Sequence, residues 1–108
     1  MIDGSAPPDS SFALQVAGGV TTLRVEGDLD LSTLEALSAA LHRAVSMTAS
    51  EMVVDLSACG FLCSRSLGLI EAAAFELRER RARLVVRGEP PSFDLLTTSV
   101  GTYLFDVV

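Results

Sequence analysis

Apolar residues along this chain first alternate with polar ones and then change to helical spacing, and the change repeats. Phe12-Ala13-Leu14-Gln15-Val16 alternates, Gly18-Gly19 follows, and Val20-Thr21-Thr22-Leu23-Arg24-Val25-Glu26-Gly27 places Leu23 and Val25 on one face. Two short β-type runs around a Gly-Gly pair predict a hairpin. Leu34, Leu37, Ala40, Leu41, Ala44 and Val45 then recur at three- and four-residue intervals, which predicts an amphipathic helix from Ser32 to about Ser46. Ser32, with Glu35 three residues on, has the spacing of a capping box.

Glu51-Met52-Val53-Val54-Asp55-Leu56-Ser57 is short and β-branched at its centre, as suits a central strand buried on both faces. After a loop from Cys59 to Cys63, a second helix starts near Ser64. Its apolar positions Leu67, Ile70, Ala74 and Leu77, with Leu69, Ala73 and Phe75 beside them, form a wide face. Arg83-Leu84-Val85-Val86-Arg87-Gly88 reads as the next strand. Beyond Pro90-Pro91, Ser92 to Ser99 reads as a short helix, and Tyr103 to Val108 as a last edge strand. The expected order is β-β-α-β-α-β-α-β. Strands that alternate with helices require right-handed crossovers and a mostly parallel sheet, to which the opening hairpin adds an antiparallel edge. The expected class is therefore α/β, one domain over residues 11–108 behind a flexible lead-in of residues 1–10.

Composition narrows the function. With 108 residues and 49% apolar content the chain has enough material for one core. A net charge of −6 argues against nucleic acid or an anionic membrane surface as partner, since both are bound through excess cations. All eight basic residues are Arg, which excludes lysine chemistry such as a Schiff base or a P-loop cation. Five of them, Arg78, Arg80, Arg81, Arg83 and Arg87, cluster where a solvated helix end and turn are expected. No apolar run approaches the roughly 18–20 residues needed to span a bilayer, so no membrane insertion is expected. The first ten residues lack the basic and apolar regions of an export signal, so the expected location is cytoplasmic.

Candidate chemistry is sparse. Cys59 and Cys63 with a distant His42 do not supply the four ligands of a structural zinc site, so no metal and no cofactor is expected. Asp28 and Asp30 read as turn and cap residues rather than an acid–base pair. No glycine-rich phosphate cradle or nucleophile elbow occurs, and an enzyme is not expected. Cys59 reads as a small core residue. Cys63, at a helix start, is a candidate redox thiol with Cys59 as its resolving partner.

Three blocks in order carry a resemblance to a known family. Val25-Glu26-Gly27-Asp28-Leu29-Asp30, Val53-Val54-Asp55-Leu56-Ser57 and Phe61-Leu62-Cys63-Ser64-Arg65-Ser66-Leu67-Gly68 resemble the STAS domain of sulphate transporters and anti-sigma factor antagonists. The third block lies where that family has two apolar residues followed by Asp-Ser-Ser/Thr-Gly-Leu-Gly. The resemblance implies a STAS-like fold and, in its bacterial anti-sigma factor antagonist type, docking to a serine-kinase-type anti-sigma factor that thereby frees a sigma factor. It implies phosphorylation at Ser64 and partner-binding positions at Asp28, Cys63, Ser64, Arg65, Ser66 and Gly68. The chain departs from the pattern at Cys63 for Asp, Arg65 for Ser/Thr and Ser66 for Gly. Those departures imply a narrower choice of partner or a switch that no longer uses phosphate. Two alternatives stay open at this point: a STAS subunit docking to a transporter ATPase, and a thiol redox sensor using Cys63. Oligomeric state is left open.

Overall fold

The computed structural model describes residues 10–88 and 105–107. A hairpin opens the chain, with β1 (Ser10–Ala17) antiparallel to β2 (Val20–Gly27). Gly18 (φ 59°) and Gly19 (φ 81°) both occupy the left-handed region. That pair makes the two-residue turn whose twist matches the flanking strands, so the glycines the sequence places there are needed. β1 starts at Ser10, one residue before the expected start of the domain.

The remaining described elements are α1 (Leu34–Met47), β3 (Glu51–Ala58), α2 (Ser64–Glu79), β4 (Arg83–Arg87) and β5 (Asp106–Val107). They build one sheet of order β1-β2-β3-β4-β5, parallel from β2 to β5. Each crossover steps one strand in the same direction, and right-handed connections therefore put α1 and α2 side by side on one face. Against them lie Leu23, Val25, Met52, Val54, Leu56, Leu84 and Val86 from the sheet. Leu37, Leu41, Ala44 and Val45 answer from α1, and Leu67, Ile70, Ala74 and Leu77 from α2. β3 is buried along Met52–Leu56 on both faces, Asp55 included, as its β-branched centre predicted.

On the sheet's other face the register sets Arg24 opposite Asp55 and Asp55 opposite Arg87. Opposite charges on neighbouring strands favour each other, and this ladder holds a carboxylate at the centre of a parallel sheet. Gly88 (φ 85°) leaves β4 so tightly that a Cβ would sit 2.6 Å from the backbone nitrogen of Ser57.

The start of α1 differs from expectation, whereas α2 starts at Ser64 as expected. α1 is preceded by a tighter turn at Leu31–Thr33, and its capping box is Asp30 with Thr33 rather than Ser32 with Glu35. Asp30 Oδ1 accepts from the Ser32 nitrogen at 3.0 Å, and the Asp30 nitrogen donates to Thr33 Oγ1 at 3.0 Å. The extra turn moves the cap two residues towards the strand. At α2 the N-cap is Cys63, in extended conformation, and Ser64 is the first helical residue rather than the cap. The expected helix at Ser92–Ser99 and the residues Tyr103, Leu104 and Val108 lie outside the described residues. Asp106–Val107 takes the expected place of an edge strand beside Val85–Val86.

The arginine cluster does more than solvate a helix end. Arg80 donates from Nη1 to the Val45 carbonyl (3.1 Å) and from Nη2 to the Thr48 carbonyl (3.3 Å). It thus adds to the bond that the Val45 carbonyl accepts from the Thr48 nitrogen (3.1 Å) and engages the carbonyl of the residue that caps α1. Arg83 reaches Glu51 (3.4 Å) and Asp106 (3.3 Å), linking three parallel strands. Replacing Arg80→Ala is expected to lower the unfolding free energy by about 1 kcal/mol in urea titration, with unchanged far-ultraviolet circular dichroism.

Candidate functional site

At the carboxyl end of the parallel strands two loops meet. One leads from β2 to α1 through Asp28-Leu29-Asp30, the other from β3 to α2 through Cys59 to Cys63. They are joined as a one-residue extension of the sheet, a parallel bridge between Leu29 and Leu62. The Leu29 nitrogen donates to the Phe61 carbonyl (2.8 Å), and the Cys63 nitrogen donates to the Leu29 carbonyl (2.9 Å). Both leucine side chains are fully buried, so the bridge is anchored in the core beneath it. Gly60 belongs to the same join, because a Cβ there would lie 2.9 Å from Asp28 Oδ1.

The first turn of α2 rises from this joint and divides sharply by direction. Ser66 faces inward: it is 0% exposed, and its Oγ donates to the Leu29 carbonyl at 3.3 Å. The same oxygen lies 3.2 Å from Cys63 Sγ. Ser66 was expected on the partner-facing surface, and the structure corrects this. Three residues from the N-cap, helical phase turns its side chain onto the loop bridge, where it adds a bond that a glycine would lack. Ser64, Arg65 and Gly68 face outward and are exposed, and Asp28 is exposed on the neighbouring loop. Cys63 is half-buried between the two sets.

Gly68 sits in the second turn of α2, and nothing lies within 4 Å of where its Cβ would be. A glycine inside a helix costs about 1 kcal/mol relative to alanine, and no neighbour among the described residues requires it here. Arg65 lines a cavity of about 580 Å³ between the first turns of α1 and α2, together with Leu34, Glu35, Ser38, Gly68 and Leu69. No ion pair within 4.0 Å engages Arg65 or Glu35 among the described residues.

Sequence reasoning missed two contributors. Leu31 is 65% exposed in the turn before α1, and Phe61 is 43% exposed in the loop before α2. Each is a large apolar residue outside the helical periodicity of its neighbour, and that mismatch was the available signal. Single exposed apolar residues are ordinary, and Phe75 is 57% exposed elsewhere, so it is the position of Leu31 and Phe61 in the two joined loops that sets them apart.

The two cysteines have different surroundings. Cys59 is buried, as expected of a core residue, and its thiol donates to the Phe61 carbonyl at 3.1 Å. Burial pushes that thiol up, and the Asp28 carboxylate adds to the effect, so it resists ionisation. This disfavours Cys59 as a resolving thiolate. Among the described residues no group of three or more His, Cys, Asp and Glu is placed to hold a metal ion.

Beneath the site, Ser57 closes β3 by donating to Asp55 Oδ1 from its hydroxyl (2.6 Å) and its backbone nitrogen (3.0 Å). The Ser57 hydroxyl holds the Asp55 carboxyl below the usual carboxylate range, helped by that backbone bond and by Arg87 and Arg24.

Residues 12–101 match the family model described as Mlab, STAS domain. The chain belongs to the STAS domain family. STAS relatives include a protein of Mycobacterium tuberculosis named anti-sigma-F factor antagonist RsfB, 32% identical over 85 residues, which covers 78% of this chain and 70% of that one. An anti-sigma factor antagonist from Mycobacterium paratuberculosis has a similar crystal structure, with a TM-score of 0.76 at 28% identity. The match covers 90% of this chain and 82% of that one. The phosphorylated form of the Bacillus cell fate determinant SpoIIAA shares the fold at a TM-score of 0.67 and 22% identity, covering 84% of each chain. The sequence resemblance to STAS domains is thereby established for nearly the whole length.

A depressed carboxyl stabilises the fold above the ordinary aspartate pKa of about 3.9, and that stability is lost as pH falls through the lower folded value. Ser57→Ala is therefore expected to cost roughly 0.5–1 kcal/mol at pH 6 and clearly less at pH 2.5, by urea titration at the two pH values.

Proposed function

We propose that this STAS domain is an anti-sigma factor antagonist that docks, through the surface around Ser64, onto a serine-kinase-type anti-sigma factor in the cytoplasm and so releases a sigma factor. It acts by binding, not by catalysis. The observation that carries this reading is Ser64 itself. It is an exposed hydroxyl at the first position of α2, on a joint rigidly tied to the core. The same ledge carries exposed Leu31 and Phe61, and the M. tuberculosis relative is named as an antagonist of an anti-sigma factor.

Control by phosphate follows from charge and position. Transfer of the ATP γ-phosphoryl group to Ser64 Oγ displaces the hydroxyl proton, releases ADP and adds roughly −1.5 to −2 charges. The partial positive charge at the start of α2 tolerates that addition, so the fold persists. The docking surface does not tolerate it. A dianion at the end of a loop joined to the one that carries Asp28 must be stripped of water for a partner to close over it.

Ser64→Glu is expected to keep the melting temperature within a few degrees of wild type and to reduce affinity for a purified kinase-type anti-sigma factor by 100-fold or more. Ser64→Ala is expected to bind like wild type and to take up no phosphate from radiolabelled ATP. Isothermal titration and a kinase assay read both. Equal affinity of Ser64→Glu and wild type would refute the proposal.

A further inference from the structure

The cavity beside Arg65 is one end of a longer groove. Leu34, Glu35 and Ser38 from α1 and Arg65, Gly68 and Leu69 from α2 line its first part. A second depression of about 150 Å³ shares Ser38 and Leu69 and continues past Leu41, His42, Ala72 and Glu76. Since α1 and α2 both follow parallel strands and run side by side, the seam extends over twelve residues of each, Leu34–Val45 and Arg65–Glu76, roughly 17 Å or three helical turns. Its floor is apolar, and its mouth lies one turn from Ser64.

Two observations indicate what the groove admits. Gly68 lowers helix propensity in α2 while a Cβ would meet nothing within 4 Å, so the space it leaves serves no neighbour inside the described fold. Arg65 stands at the mouth with no carboxylate of the described residues within 4.0 Å, in a chain of net charge −6. An unpaired guanidinium on an apolar groove is complementary to a carboxylate brought by the partner.

We infer that the α1–α2 seam receives an amphipathic helix of the anti-sigma factor. That helix packs its apolar ridge on Leu34 and Leu69, approaches closest over Gly68, and directs an acidic side chain at Arg65. The inference rests on the antagonist role proposed above and deepens it. Docking then has two parts, the Ser64 ledge that phosphate controls and a seam that selects the partner. A helix laid into a groove between two helices is an established mode of recognition and buries its anchors at i, i+3, i+4 and i+7. Arg65 stands where the family pattern has Ser or Thr, so this chain selects an anti-sigma factor that carries the matching acid.

The decisive variant is Gly68→Leu, whose Cβ has nothing within 4 Å among the described residues and whose longer side chain is directed into the groove. It is expected to melt no lower than wild type and to bind the purified anti-sigma factor at least tenfold more weakly in isothermal titration. Should Gly68→Leu melt lower, Arg65→Glu, a change at an exposed side chain, reads the same surface and is expected to weaken binding at least tenfold. Folded variants that bind within twofold of wild type, while Ser64→Glu has lost binding, would overturn the seam and leave the antagonist role standing. Failure of the wild type to bind any kinase-type anti-sigma factor removes both. Sedimentation velocity supplies the remaining outcome: a wild-type dimer dissociated by Gly68→Leu would make the occupant a second copy of this chain and overturn the inference.

Discussion

The single backbone bridge between Leu29 and Leu62 governs the geometry of everything at the carboxyl end of the sheet. Two loops that leave neighbouring parallel strands normally diverge, because each must turn upward into its own helix. Here the Leu29 nitrogen and carbonyl bond to Phe61 and Cys63, so the strands in effect pair for one more step after their ends. The leucine side chains point into the core and hold the step in place. Cys63 is thereby held extended, the helix begins at Ser64, and the phase of α2 is set. With a different start, Ser64 would face another way.

This arrangement separates stability from display. Inward groups are satisfied by each other: Ser66 by the Leu29 carbonyl, Cys59 by the Phe61 carbonyl, and Asp55 by Ser57. Outward groups have no such duties. The helix layer covers one face of the sheet, and on the other a carboxylate is held between two arginines across three strands. Arg80 and Arg83 secure the far end, where α1 stops and β4 begins. The docking end can therefore be shaped by its partner while the opposite end holds the layers together.

Much of the fold was legible because the signals were local and redundant. Gly18-Gly19 between alternating runs could only be a tight turn, and the short β-branched run around Val53-Val54 suited a central strand buried on both faces. Of the positions the family pattern singles out, Asp28, Ser64, Arg65 and Gly68 are exposed. The apolar face of α2 at Leu67, Ile70, Ala74 and Leu77 was read, but not that Ser66, four residues before Ile70, extends that face into the first turn. Ser66 and Gly68 are two residues apart in a short polar stretch, yet one is fully buried and the other open. That difference depends on a start fixed by a bond from Cys63 to Leu29, thirty-four positions away, which no window on the sequence contains. The cap of α1 was misplaced for a related reason. Asp30 and Thr33 satisfy a turn tighter than an α-helix, and the apolar period alone does not report it.

The split within the first turn of α2 also bears on how such proteins diversify. Positions 63, 66 and 67 are wired to the interior, whereas 64, 65 and 68 touch only what comes from outside. Changes of the second kind leave the bridge intact, so a duplicated copy can acquire a new recognition face without first losing its fold. Several antagonists of one architecture can then coexist in a single cell, each deaf to the others' kinases, insulated by a few side chains on one helical turn.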